Sequence, residues 1–338
     1  MMKDYNKILG CLVGGAAGDA LGYAVEFDRE KTIFGKYGKS GICNYELVNG
    51  KALISDDTQM TLFTAAGILL AKDSLDYTDF ITGVHQAYKE WLMTQDRHYK
   101  MKNVKTWLVD IPEMNARRAP GLTCLNALRE NSMGGIYDPV NNSKGCGGVM
   151  RVAPIGLFYD TDILSVEDID CMGAGAAAIT HGHPLGYISA AGLVHVVQIV
   201  SHDPSVSLLD AVTDMIEKVP GLYPDEEADN VLFSKLMKKA VTLAESDIPD
   251  LEAIHQLGEG WVAEEALAIA VYCALKYADN FDAALIASVN HNGDSDSTGA
   301  ITGNILGAYL GYDKIPCKYT DNLELLDVMK RIAGEMMS

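Results

Sequence analysis

The sequence predicts an all-α protein with a single domain, and three observations support this prediction. Most of the 338 residues lie in segments with apolar side chains at helical spacing, and no segment of convincing length shows the alternation of a strand. No low-complexity linker divides the chain. Hydrophobic residues make up 48% and charged residues 22% of the composition, which is typical of a globular protein. We therefore expect residues 1–338 to form one compact helical domain.

Glycines at four-residue spacing mark the first helix and a helix near the C-terminus. The two rows are Gly10, Gly14, Gly18 and Gly22, and Gly299, Gly303, Gly307 and Gly311. A glycine costs a helix about 1 kcal/mol relative to alanine, so a row of four requires a reason. Residues four apart lie on one side of a helix, and a side without Cβ atoms can approach a neighbour closely. We hypothesise that both helices lie in one tightly packed core, although the spacing does not show whether they touch.

The segments between the two rows are predicted from apolar periodicity and from breaks at glycine and proline. We expect a loop over 28–54, irregular structure over 100–120 and a long connection over 134–148. Helices are expected over 60–70, 77–99, 122–128, 149–157, 171–179, 184–200, 262–276, 281–289 and 323–337, with two amphipathic helices in 206–245 that are interrupted at 220–224.

Charge and cysteine content restrict the partners and the compartment. The net charge of −19 argues against nucleic acid, because phosphate backbones require lysine and arginine facing them. Seven cysteines, an odd number without a C-x-x-C pair, indicate reduced thiols in a cytoplasmic protein rather than disulfides or a zinc site. No apolar run approaches the ~20 residues of a membrane span. Lys3 and Lys7 precede an apolar stretch that imitates a signal peptide, but the glycine-faced helix explains the same residues better.

Two acidic clusters stand directly before apolar helices. The first is S-D-D-T over 55–58; the second is the stretch 290–300, which reads N-H-N-G-D-S-D-S-T-G-A and places Asp294 and Asp296 two apart. Crowded carboxylates and hydroxyls suit a hard cation, which takes several oxygen ligands. Helix capping by Asp or Ser is the alternative, and it would account for one acid in each cluster. Adjacent carboxylates repel one another, and a bound divalent cation would relieve that repulsion.

Three further features are candidates for a site. Glu26 stands between Val25 and Phe27, so it is either a partly desolvated carboxylate with a raised pKa or an ordinary surface charge. The glycine-rich loop that ends at Gly148 precedes a predicted helix and could receive a phosphate, or it is a plain turn. His181 and His183 flank a glycine before Pro184; they form a metal site or a capped helix junction, and zinc is disfavoured without further ligands at the right spacing.

Together these segments resemble the ADP-ribosylglycohydrolase family, which includes the dinitrogenase reductase-activating glycohydrolases and the ADP-ribosylarginine and ADP-ribosylserine hydrolases. The matching motifs are G-D-A-L-G-x-x-V-E-F (18–27), S-D-D-T (55–58), G-C-G-G-V-M-R-x-A-P (145–154), T-H-G-H-P (180–184) and G-D-S-D-S-T-G-A (293–300). Each motif alone is modest. Five in the family's order, over nearly the whole chain, are highly specific.

The resemblance implies an all-helical fold with two Mg²⁺ or Mn²⁺ ions in a central cleft. The matching metal ligands are Ser55, Asp56, Asp57, Asp294, Asp296 and Ser297, with serine where many members have threonine. Glu26 matches the acidic residue that the family holds near the scissile bond, and Glu26 and Asp296 are the candidate catalytic residues. Gly145, Cys146, Gly147 and Gly148 match the loop that receives the diphosphate, although Cys146 is not typical of every subfamily. His181 matches a histidine near the bound ADP-ribose.

The function expected from this resemblance is metal-dependent hydrolysis of a glycosidic bond, releasing ADP-ribose from a modified protein or small molecule. Two ions about 3.5–4 Å apart could orient the ribose hydroxyls and activate a bridging water. Glu26 could then act in general acid–base catalysis, which typically contributes 10²–10⁴-fold.

Several alternatives remain open at this stage. One is a non-catalytic ADP-ribose-binding or crystallin-like structural member, and another is a phosphatase, although D-x-D motifs of that class usually follow a strand. The acceptor is not determined: arginine, serine, a modified nucleic-acid base and a small metabolite are all compatible with the sequence. The choice between Mg²⁺ and Mn²⁺ and the oligomeric state, a monomer included, are likewise undetermined.

Overall fold

The computed structural model describes residues 3–130 and 132–338. These residues contain fifteen α-helices, numbered here in chain order: α1 Tyr5–Tyr23, α2 Glu30–Tyr37, α3 Asp56–Leu70, α4 Tyr77–Gln95, α5 Leu122–Arg129, α6 Ala153–Phe158, α7 Val166–Ala178, α8 Pro184–His202, α9 Leu208–Lys218, α10 Glu227–Ala244, α11 Asp250–Leu257, α12 Ala263–Lys276, α13 Phe281–Val289, α14 Ser295–Leu310 and α15 Leu326–Met336. Two strands of two residues each, β1 Leu47–Val48 and β2 Lys51–Ala52, form an antiparallel hairpin in which Leu47 pairs with Ala52. The apolar side chains of the helices share one hydrophobic core. The prediction of an all-α fold is confirmed.

The two glycine-faced helices, α1 and α14, pack directly against each other at the centre of this core. A Cβ atom built on Gly303 would lie 1.9 Å from the carbonyl oxygen of Gly14, and one on Gly14 would lie 2.3 Å from the carbonyl oxygen of Gly303. Gly10 meets Gly307 in the same way, so the helices are antiparallel. The hypothesis of a tightly packed core is confirmed, and the two glycine rows are in direct contact with each other. Gly311 was wrongly assigned to the helix: it caps α14 with φ of 88°, a backbone conformation that favours glycine.

Several predicted boundaries are wrong, each for a local reason. Residues 28–54 are not a plain loop, because they contain α2 and the hairpin; α2 buries only Ile33 and therefore shows little apolar periodicity. Helix α7 begins at Val166, ahead of the expected start, because Ser165 and Asp168 form a capping box. The eight-residue helix α11 was not predicted. The helix expected over 149–157 begins only at Ala153.

By length and composition alone, α8 is apolar enough to cross a membrane, contrary to our expectation that no segment would be. In the fold, 89% of its most apolar window is buried inside the protein. Core helices of soluble proteins pass the same test, so the apolar character of α8 is accounted for by its packing against α7, α6 and α9.

Candidate active site

The two acidic clusters predicted from the sequence meet in one place. Ser55 to Asp57 open α3, and Asp294 to Ser297 open α14. The hydroxyl of Ser297 donates a hydrogen bond of 2.8 Å to Oδ2 of Asp57, across 240 residues of sequence. Both helix starts therefore face a common cleft.

This cleft has a volume of about 230 Å³ and is lined mainly by the residues that the sequence singled out. Ten of the predicted site residues line it: Glu26, Asp56, Asp57, Gly145, Cys146, Gly147, His181, Asp294, Asp296 and Ser297. Two do not. Gly148 is buried behind the loop, where a Cβ atom would lie 3.3 Å from Ala177 Cβ, and Ser55 caps α3.

Helix capping explains one cluster in part and fails to explain the other. The hydroxyl oxygen of Ser55 accepts the N–H of Asp57 at 3.2 Å, so Ser55 is the N-cap of α3. Asp294 occupies the N-cap position of α14, but its side chain accepts no capping hydrogen bond. Asp294 therefore lines the cleft without capping the helix, while Oδ1 of Asp296, which also lines the cleft, accepts the N–H of Ser297 at 2.9 Å.

Glu26, Asp294 and Asp296 form a compact acidic group. One carboxylate oxygen from each lies within 4.8 Å of the others, and all three residues are buried. Oε2 of Glu26 has no hydrogen-bond partner among the described residues. An all-oxygen set of this kind, with an unpartnered buried oxygen, fits a hard divalent cation.

The charge state of this group without a cation follows from its burial. Burial, and then the nearby charges of Asp296 and Asp294, raises the pKa of Glu26 to about 10. Burial is also the first cause that raises the pKa of Asp57 and Asp294 well above the usual range, with the Asp296 charge next. Burial also raises the pKa of Asp56 well above the usual range, although the hydrogen bond that its carboxylate accepts from the Gly121 N–H acts to lower it. A divalent cation would reverse these shifts, because it stabilises the ionised carboxylates.

The glycine-rich loop lies beside this acidic group, but not at a helix start. Residues 146–148 form a short 3₁₀ turn, and the Cys146 N–H donates to the carbonyl oxygen of Trp261 at 3.2 Å. The thiol of Cys146 donates to Oδ2 of Asp294 at 2.7 Å, and burial raises its pKa well above the usual value, so it stays protonated. The expectation that these N–H groups lead straight into a helix is wrong, since α6 begins at Ala153.

The two histidines of the T-H-G-H-P motif separate in the structure. His181 is buried and lines the cleft, and burial, followed by the charge of Arg151, lowers its pKa to about 3. His183 caps α8, since its Nδ1 accepts the N–H of Leu185 at 3.1 Å. Within residues 3–130 and 132–338, neither histidine belongs to a cluster of potential metal ligands. The capped-junction interpretation therefore applies to His183 and not to His181.

Sequence reasoning missed Asp19, although the residue lies within the first quoted motif. Asp19 on α1 is fully buried and accepts the N–H groups of Ser55 and Thr58 at 3.0 and 3.1 Å. Thr58 also donates its hydroxyl to Asp19. These bonds fix the start of α3 and hence the first acidic cluster. Burial, and then the charge of Asp296, raises the pKa of Asp19 to about 7. An aspartate inside an apolar glycine-faced helix was the available signal.

Trp261 was also missed. It lines the cleft while 42% of its surface remains exposed, so it stands at the rim. Its position depends on the glycines on either side of Glu259, since Gly258 and Gly260 both have positive φ. Two glycines with positive φ just before an aromatic residue define the backbone conformation of this loop, and the spacing of two glycines is only a weak sequence signal for it.

The order of elements before the second cluster bears on the phosphatase alternative. D-x-D motifs of that class usually follow a strand, whereas helix α13 precedes Asp294. The structure therefore gives this alternative no support.

Comparisons with known proteins agree with the motifs. The model of the family described as ADP-ribosylglycohydrolase matches residues 1–338. The chain is 25% identical over 362 residues to the ADP-ribosylhydrolase ARH3 of Mus musculus, covering 95% of this chain and 88% of that protein. It is 24% identical over 331 residues to the ADP-ribosyl-[dinitrogen reductase] glycohydrolase of Rhodospirillum rubrum, covering 95% and 91%.

A solved structure described as an ADP-ribosylglycohydrolase-related protein complex superposes with a TM-score of 0.62 and 22% identity, covering 98% of this chain and 97% of that one. At this identity the superposition shows a shared fold. The match to the family model over the entire sequence goes further. The chain belongs to the ADP-ribosylglycohydrolase family.

Proposed function

We propose that this protein is a metal-dependent hydrolase that cleaves the glycosidic bond of an ADP-ribosylated substrate and releases ADP-ribose. The observation that carries the proposal is the hydrogen bond from Ser297 to Asp57, which joins two acidic clusters distant in sequence into one cleft. A glycohydrolase activity is the family's activity, and the family is generally metal-dependent. The identity of the metal, the number of ions and the substrate are proposals for this protein.

Two Mg²⁺ or Mn²⁺ ions would be held by Asp56, Asp57, Asp294, Asp296 and Ser297, with Ser55 as the sixth ligand. Ser55 can serve while it caps α3, because a hydroxyl oxygen that accepts one N–H keeps a second lone pair. When bound, such ions supply Lewis acid stabilisation and lower the pKa of a coordinated water. The unpartnered buried oxygen of Glu26 supports a cation or a substrate proton at this point of the cleft.

Glu26 would exchange a proton with the acceptor atom of the scissile bond. Its raised pKa keeps the carboxyl protonated at neutral pH before a cation binds, and cation binding lowers that pKa toward the working range. Asp296 lies in the same group as Glu26 and would orient the reacting end of the substrate.

The loop at Gly145 to Gly148 would receive the diphosphate. Its glycines keep bare backbone against the cleft wall: a Cβ atom on Gly147 would lie 3.0 Å from Cys124 Sγ and 3.1 Å from His181 Cε1. His181 would contribute a hydrogen bond to the bound ADP-ribose. The acceptor group would leave past the rim, where Leu122 and Trp261 are exposed.

The experiment that tests this function measures free ADP-ribose released from arginine- and serine-ADP-ribosylated peptides, with Mg²⁺ or Mn²⁺ and with EDTA. We expect release from one peptide that EDTA abolishes, which would also identify the acceptor. The Asp296→Asn variant should lose the metal-dependent release and keep its helical circular dichroism spectrum. Asp327→Asn is the matched control, because the Asp327 side chain is fully exposed on α15.

Two outcomes would count against the proposal. Release that is unchanged in Asp296→Asn would exclude the assigned site. Absence of both release and ADP-ribose binding, with each peptide and each metal, would favour a non-catalytic member of the family. Binding of ADP-ribose without release would keep the site and direct the search to other acceptors, such as modified bases or small metabolites.

A further inference from the structure

Behind the cleft lies a fully buried arginine that the proposed reaction does not use. Arg151 donates from Nη2 to the carbonyl oxygen of Ala176 at 3.1 Å and to Oγ1 of Thr180 at 2.7 Å. Its guanidinium also stacks over the Tyr88 ring at 4.2 Å from the centroid. Burial of a cation is costly unless partners of this kind hydrogen-bond to it, and these partners fix the orientation of the guanidinium.

The hydrogen bond from Arg151 determines how the Thr180 hydroxyl bonds to His181. Because Arg151 carries only donors, Oγ1 of Thr180 must accept the bond from Nη2. The hydroxyl proton then needs an acceptor, and Nδ1 of His181 lies 2.8 Å away. Among residues 3–130 and 132–338, the other acceptor beside this hydroxyl is the Cys124 sulfur, a weak acceptor that already accepts a bond from Nη1 of Arg151. If Nδ1–H donated to Oγ1 instead, the buried hydroxyl proton would be left with this weak acceptor alone. Nδ1 is therefore the unprotonated nitrogen.

The remaining nitrogen of the ring, Nε2, faces the glycine-rich loop. A Cβ atom on Gly145 would lie 3.4 Å from Nε2, and one on Gly147 would lie 3.3 Å from it. Nε2 has no hydrogen-bond partner among the described residues, although His181 is only 1% exposed. An unpartnered nitrogen in a buried side chain at a cleft wall is a place for a ligand atom.

We propose that Arg151, acting through the Thr180 hydroxyl, holds His181 as the neutral Nε2–H tautomer, so that a hydrogen-bond donor points into the cleft. Arg151 and Thr180 are then positioning residues for an acceptor oxygen of the ligand. The identity of that ligand as ADP-ribose rests on the proposed function, whereas the tautomer does not. The lowered pKa of His181, caused by burial and by the Arg151 charge, keeps the ring neutral at physiological pH.

The tautomer can be read directly by NMR of the intact protein labelled with ¹⁵N-histidine. Two-bond ¹H–¹⁵N correlations distinguish Nδ1–H, Nε2–H and protonated rings, and His181→Gln identifies the His181 signals. We expect a single Nε2–H pattern for His181 that does not change between pH 5.5 and pH 8.

Three variants test the role of the hydroxyl. Thr180→Val removes the proton donor and should convert the pattern to a mixture of tautomers or to Nδ1–H. Thr180→Ser keeps the hydroxyl and should keep Nε2–H. Thr302→Val is the matched control: this buried threonine on α14 donates to the Thr298 carbonyl, and its loss should leave the His181 signals in place.

An Nδ1–H pattern in the unmodified protein would overturn the proposal, and so would a Thr180→Val spectrum identical to that of the unmodified protein. If Thr180→Val fails to fold, Thr180→Ser and the unmodified protein still decide the tautomer.

Titration of ADP-ribose into the same samples provides the second readout. Loss of the oriented donor should weaken binding about three- to tenfold in Thr180→Val, the effect of one hydrogen bond, and leave Thr180→Ser unchanged. If ADP-ribose binds none of the proteins, the proposed function fails while the NMR pattern still decides the tautomer.

Discussion

Replacement of Gly303 by alanine tests whether the contact between α1 and α14 holds the site together. The added Cβ would lie 1.9 Å from the Gly14 carbonyl oxygen, about 1.5 Å short of the 3.4 Å at which ordinary contact begins. The obstructing atom is backbone, so relief requires the two helices to separate. Overpacking of a core costs about 1–3 kcal/mol, and a backbone clash belongs at the upper end of that range. Alanine regains about 1 kcal/mol of helix propensity, which leaves a net loss of about 2 kcal/mol.

The consequence should appear in both stability and activity. A loss of about 2 kcal/mol lowers the Tm of a domain this large by about 3 °C, measured by circular dichroism at 222 nm. Separation of the helices also moves Asp19, on α1, away from the α3 start that it holds, so the affinity for Mn²⁺ should fall in the same variant.

Gly334→Ala is the matched control, because Gly334 lies in a helix and a Cβ there meets no atom within 4 Å. This variant should be more stable than the unmodified protein by about 0.5–1 kcal/mol. A Gly303→Ala protein as stable as the Gly334→Ala protein would refute the assignment of the glycine rows to close helix contact.

The remaining predictions concern the cleft. Folding raises the pKa of Glu26 to about 10, so the folded protein retains a proton that the unfolded chain releases above its ordinary pKa. The folded state therefore loses stability as the pH rises, and in EDTA the Tm should fall from pH 6 to pH 9. Bound Mn²⁺ should reduce this dependence of the Tm on pH. A Tm in EDTA that rises over this range would contradict the assignment. Glu26→Gln should lower turnover about 10²–10⁴-fold with Mn²⁺ present, while Glu46→Gln, at an exposed ion pair, should not; equal rates would remove Glu26 from the reaction. Gly147→Ala crowds His181 and should raise KM roughly tenfold, whereas Gly135→Ala meets nothing within 4 Å and serves as its control.

Local patterns in the sequence predicted most of the helices, and the resemblance to a known family predicted most of the residues that line the cleft. The four-residue glycine spacing predicted close packing, and the acidic clusters were recognised from residue types that a hard cation needs. Ten of the twelve predicted site residues line one cleft, although their individual roles stay predictions. The failures occurred where periodicity is weak, as in α2, or where a single residue changes role, as with Gly311.

The information that can be read from the linear chain is therefore local: helix periodicity, helix starts, and the residue types available for chemistry. Which of these residues come together depends on the packing of the helices. The Ser297–Asp57 bond, the hold of Asp19 on the α3 start and the orientation of His181 by Arg151 all join residues from different elements. Each depends on how helices pack, since a hydrogen bond is set to a few tenths of an ångström by the positions of both partners. Sequence spacing fixes such distances within one helix but not between two.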